Sequence, residues 1–92
     1  MVNAIVLIQA KRDMIPETVD TLVEMDGVAE VYSVAGEYDI VAIIRVKENE
    51  QLAELVTRRM LKVEGIEKTS TLIAFEAFSK HDLERMFSIG MG

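Results

Sequence analysis

Apolar residues crowd the start of the chain: Val2–Ala10, VNAIVLIQA, is rich in Val, Ile and Leu and stops at the charged cluster Lys11, Arg12, Asp13. A short β-branched run bounded by charge reads as a strand. Pro16 suits the first turn of a helix, where its missing N–H costs nothing, and Glu17 is favourable at the positive helix end. Ile15, Val19, Leu22 and Val23 then recur at helical spacing, and Gly27 supplies the stop. Residues 28–35 are predicted as a second strand. Gly36, Glu37 and Tyr38 make a hairpin turn, Gly36 tolerating positive φ. A third strand follows in which every residue from Ile40 to Ile44 is apolar. Over residues 49–62 the pattern returns to helical spacing, with Leu52, Leu55, Val56, Met60 and Val63 on one stripe. Gly65 closes that segment, and residues 68–78, KTSTLIAFEAF, are predicted as a fourth strand.

The predicted order is strand, helix, strand, strand, helix, strand. A weak internal repeat supports it: Asp26-Gly27-Val28 aligns with Glu64-Gly65-Ile66, each closing a helix and opening a strand. Two βαβ halves with right-handed crossovers interleave into one antiparallel sheet with both helices on one face. The fold class is α+β, ferredoxin-like βαββαβ, with strand order 4-1-3-2. Residues 1–78 hold the domain. Residues 79–92 are a C-terminal extension in which Leu83, Met86 and Phe87 fall on one side of a short helix.

Alternation along the strands raises a question of coverage. In strand one the sets are Ala4, Val6, Ile8 against Asn3, Ile5, Leu7, Gln9; in strand three, Ile40, Ala42, Ile44, Val46 against Asp39, Val41, Ile43, Arg45. The wholly apolar sets belong under the helices. The second sets, with Thr69, Thr71, Ile73 and Phe75 of strand four, are expected on the opposite face. Ile5, Leu7, Val41, Ile43, Ile73 and Phe75 then form an apolar patch that no helix covers. Six such side chains offer on the order of 10 kcal/mol when buried, enough to offset much of the cost of association. Open apolar patches of this size are uncommon on soluble monomers, so the patch predicts sheet-to-sheet dimerisation.

Composition narrows the function classes. The chain has 92 residues, room for one core, and a formal net charge of −6. An acidic surface does not grip phosphates, which excludes direct nucleic-acid binding by this chain. With no cysteine there are no disulfides, thiolate nucleophiles or Cys-based metal sites. His81 is the one histidine and lacks ligand partners in sequence, so no metal or cofactor is expected. The opening apolar run is too short to span a bilayer and has no basic stretch ahead of it, so a cytoplasmic protein with no membrane association is expected.

The stretch VAEVYSVAGEYDIVAIIRV, followed after one helix by VEGIEKTSTLIAF, resembles the effector-binding (RAM) domain of the Lrp/AsnC, or feast/famine, regulators. The shared features are the valine-rich strand, Gly-x-Tyr-Asp in the hairpin, the apolar strand, and Gly-Ile-x-x-Thr-x-Thr opening strand four. The resemblance covers nearly the whole chain. It implies dimers that assemble into octamers or decamers, with free amino acids bound between dimers near the hairpin. By position the implied ligand-binding residues are Gly36, Tyr38, Asp39, Thr69 and Thr71, with Ser33 beside them. An amino acid's ammonium asks for an acceptor, which Asp39 offers; its carboxylate asks for donors, which turn amides and threonine hydroxyls offer. The threonines are expected on the same sheet face as Asp39. The family usually carries a helix-turn-helix ahead of this domain; here the domain starts at residue 1, which predicts a stand-alone form that is not an enzyme and acts on transcription through full-length relatives or another partner. Two alternatives stay open. One is a small dimeric α+β barrel enzyme of the monooxygenase or isomerase type, which needs a titratable group between sheet and helices. The other is a ligand-free oligomerisation module.

Overall fold

The structure, a computed structural model, describes residues 1–78 and Lys80. Strand β1 spans Val2–Ala10. A 3-10 turn at Arg12–Met14 leads into helix α1, Ile15–Val23, with Pro16 in its first turn. Strands β2, Val28–Ser33, and β3, Ile40–Val46, form the hairpin. Helix α2, Asn49–Glu54, continues without a break through a π turn, Leu55–Arg59, and a 3-10 turn, Met60–Lys62. Strand β4 is Ile66–Ala74. The sheet order is β2-β3-β1-β4 with antiparallel neighbours throughout, the ferredoxin-like order expected. The short helix expected around Leu83, Met86 and Phe87 lies outside the described residues.

Burial follows the predicted alternation in the two central strands. Ala4, Val6 and Ile8 of β1 and Ile40, Ala42 and Ile44 of β3 are buried, joined by Leu22, Leu52, Leu55 and Met60 from the helical layer. Val23 departs from its expected stripe and is 56% exposed. A capping box opens α2, where Gln51 Oε1 accepts the N–H groups of Lys47 and Glu48 at 2.9 and 3.1 Å. That closes two donors the helix cannot satisfy itself.

Three boundaries differ from the sequence reading. β2 ends at Ser33, because the hairpin is a wider loop, closed by Val34 N–H on the Asp39 carbonyl at 2.9 Å. β4 begins at Ile66, two residues early. It stops at Ala74, leaving Phe75–Phe78 outside the ladder. Gly65 also has a different reason for being glycine than Gly36 has. Gly36 sits at φ +142°, open to solvent, whereas at Gly65 an added Cβ would overlap Thr18 Oγ1. Here α1 and the entry to β4 touch.

Register corrects one face of the sheet. Between Gln9 and Ala10 the pairing with β4 slips: Gln9 faces Lys68 but Ala10 faces Ile66, so Glu67 is the extra residue of a bulge. Such a slip moves every later side chain to the other face. Ile5 therefore pairs with Leu72, while Ile73 pairs with the buried Ala4 and lies on the helix side. Thr69 and Thr71, opposite Ile8 and Val6, also lie on the helix side. Leu72 takes the place assigned to Ile73 in the uncovered patch. Phe75 is beyond the strand altogether, and fully exposed. A second bulge, at Ala29, puts Val28 and Val31 on the core side with Ile44 and Ala42, and Glu30 and Tyr32 on the uncovered side with Ile43 and Val41.

Candidate functional site

The uncovered face reads as successive rows across the strands. Tyr32, Val41, Leu7 and Ser70 form one; Glu30, Ile43, Ile5 and Leu72 form the next. Its centre is aliphatic and its border polar. Leu72 is 52% exposed and Ile5 37%, while Leu7, Val41 and Ile43 are half-buried. At the border Glu30 receives both the Tyr32 hydroxyl and Arg45 Nη2, the latter at 3.6 Å. The hydrogen bond to Glu30, then its negative charge, raises the Tyr32 pKa above 10.0. The Glu30–Arg45 pair is about half exposed and adds little to stability, but it fixes a charge pattern on the rim.

The polar candidates gather at the hairpin end of the same sheet. Gly36 is at the exposed loop tip, and Tyr38 is half-buried behind it. Asp39 stands just before β3. Its N–H donates to the Ile8 carbonyl at 2.9 Å, and its Oδ2 accepts the Ala10 N–H at 2.8 Å. That second bond matters physically, since the β1–β3 ladder ends at the Ile8–Ile40 pair and leaves the Ala10 N–H without a β3 partner. The carboxylate thus ties the hairpin to the end of β1, and its remaining lone pairs stay available. Gln9 adds a second tie, its Nε2 donating to the Glu37 carbonyl at 3.1 Å. Ser33 is exposed and opposite Ile40, and Thr69 is half-buried opposite Ile8, so both stand at this end. Thr71 is two pairs further in, opposite Val6. The register brings Gly36, Tyr38, Asp39, Ser33 and Thr69 to one end of the sheet, with Ser33 and Thr69 on its two edge strands, but it sets the threonines on the helix side, not on the face shared by Val41 and Ile43.

Two clefts lie elsewhere. One, of about 410 Å³, is at the opposite end of the sheet and includes Asp26, Gly27, Arg45, Lys47, Glu54 and Arg59 in its wall. The other, of about 310 Å³, includes Thr18, Arg59, Lys62 and Gly65. None of the candidate ligand residues lines either. Sequence reasoning also passed over Leu72, Tyr32, Glu30, Arg45 and Gln9. Leu72 was visible as an apolar residue, but its side depended on a bulge that no pattern announces.

The topology and the one-sided helical layer define a ferredoxin-like α+β domain. The Lrp/AsnC ligand binding domain model matches residues 3–83, and the chain belongs to this family. It is 36% identical over 74 residues to an uncharacterized HTH-type (helix-turn-helix) transcriptional regulator of Pyrococcus furiosus, covering 80% of this chain and 49% of that protein. It is 34% identical over 73 residues to the HTH-type transcriptional regulator FL11 of the same organism, covering 79% and 48%. The chain thus spans about half the length of the curated relatives it matches. Among solved structures, a Thermus thermophilus protein superposes with TM-score 0.82 at 42% identity, covering 87% of this chain and 100% of that one. A feast or famine regulatory protein of M. tuberculosis complexed with L-methionine superposes with TM-score 0.72 at 26% identity, covering 87% and 54%.

Proposed function

We propose that this chain is an amino-acid-sensing regulatory domain that works as an oligomer, built from dimers paired through the uncovered sheet face. The supporting observation is the hairpin end of the sheet. Asp39, Gly36, Tyr38, Ser33 and Thr69 stand at that end, and among the described residues none of them lines either cleft, as expected of half a site completed by a neighbouring copy. Asp39 would receive the ligand's ammonium through the lone pairs that Ala10 leaves free, and amides of the loop would meet its carboxylate. The L-methionine complex of the M. tuberculosis relative makes a free amino acid the natural ligand class. Assembly into octamers or decamers, and mixed assembly with full-length relatives, would carry the signal to transcription. A catalytic reading has less support, because β1 and β3 present only Ala, Val and Ile to the helices and so give a reaction no titratable group there.

The test is a thermal-shift screen of the twenty amino acids, since a ligand that binds the native state alone raises the melting temperature. One or a few should stabilise the protein. Asp39→Asn keeps an acceptor for Ala10 N–H but loses the charge. It should therefore melt near wild type and lose the response. No response from any amino acid would contradict the sensing role; a full response in Asp39→Asn would remove Asp39 from the site.

A further inference from the structure

Residues 75–78 lie outside the sheet. Phe75 is 101% exposed and Phe78 71%, and Glu76 and Ala77 between them are exposed too. No charge or fold requirement explains two bare phenylalanines on a molecule of net charge −6. The aliphatic face has the converse deficit. Its five residues expose on the order of 300 Å² of side chain, well short of the roughly 800 Å² per partner that a stable interface needs. Two phenylalanines of about 200 Å² each would more than double the apolar contribution.

Resting on the dimer reading above, we infer that residues 75–78 form an arm that packs against the sheet face of a second copy. The geometry favours a partner over the arm's own sheet. Ala74 pairs with Asn3 at the last rung, and the full exposure of Phe75 shows that the chain does not fold back there. Four extended residues reach about 13 Å, enough to cross from one sheet edge onto a facing molecule. Glu76, set between the two rings, complements a face whose border carries Arg45 and Lys68. The same acidic residue and the net charge disfavour an anionic membrane as the occupant.

The sequence contains no tryptophan, so Phe78→Trp gives a single fluorescent reporter. Emission and sedimentation velocity are read together over a dilution series. The inference predicts blue-shifted emission in the assembled protein and a red shift on dilution, with the same midpoint as dissociation. Adding Leu72→Asp should abolish the blue shift. Phe75→Ala/Phe78→Ala should weaken association at least tenfold while far-UV circular dichroism stays unchanged. Emission independent of concentration, whether exposed or buried within one chain, would overturn the arm. So would a double variant that associates as tightly as wild type. Both results would leave the dimer reading standing. A folded wild-type monomer at every concentration would instead sink the dimer and the arm together.

Discussion

Tyr32 and Glu30 stand two residues apart on β2, so strand alternation puts both on the uncovered face. The neutral phenol donates to the carboxylate, and a phenolate there would be repelled, so the folded state holds the proton more tightly than the unfolded chain. The bond's contribution is present below the unfolded pKa and is lost as pH rises through the higher folded one, in the alkaline range above 10.0. In a Tyr38→Phe background, ultraviolet titration of the remaining phenol should show a midpoint above 10.0, and Glu30→Gln should bring it down. An unchanged midpoint in Glu30→Gln would mean the bond does not form in solution. Asp39 has a structural role beside the ligand role proposed for it. It secures backbone, by bonding Ala10 N–H rather than its own turn, and it keeps acceptor capacity for a ligand. Which backbone it would reach was not legible, because Ala10 needs an outside acceptor only where the β1–β3 ladder stops, at the Ile8–Ile40 pair.

Element boundaries follow local chemistry, and face assignments follow register. Val2–Ala10, α1 behind Pro16 and the helical run from Asn49 were readable because period, start signals and stop glycines agree there. β4 was readable as a strand but not as a face. Its apolar residues, Ile66, Leu72 and Ile73, lie on both sides of the bulge, so alternation alone fits either assignment. Gly65 likewise looks like an ordinary helix stop, and its steric role depends on how closely α1 approaches. Thr18 Oγ1 is buried there without a hydrogen-bond partner among the described residues. Gly65→Ala should cost about 1–3 kcal/mol by overpacking, read from urea denaturation, and adding Thr18→Ala should recover part of the loss. A Gly65→Ala protein as stable as wild type would contradict the close approach.

At the scale of the molecule, an α+β sheet covered by helices on one side leaves its other side to be explained. The apolar run from Ile40 to Ile44 already poses that problem in the sequence: its even members fill the core, and Val41 and Ile43 remain for the bare face. The hairpin loop and the two exposed phenylalanines then fall at opposite ends of the sheet, one suited to a small polar ligand and one to a partner. Copies that associate through the face bring both ends against neighbours. Sedimentation velocity of the wild type beside Leu72→Asp tests this most directly, since Leu72 is half exposed and its replacement leaves the core intact. The account predicts a wild type that runs as a dimer or larger and a variant that is folded but much smaller; a wild type that runs as a folded 10.3 kDa particle at micromolar concentration would contradict it.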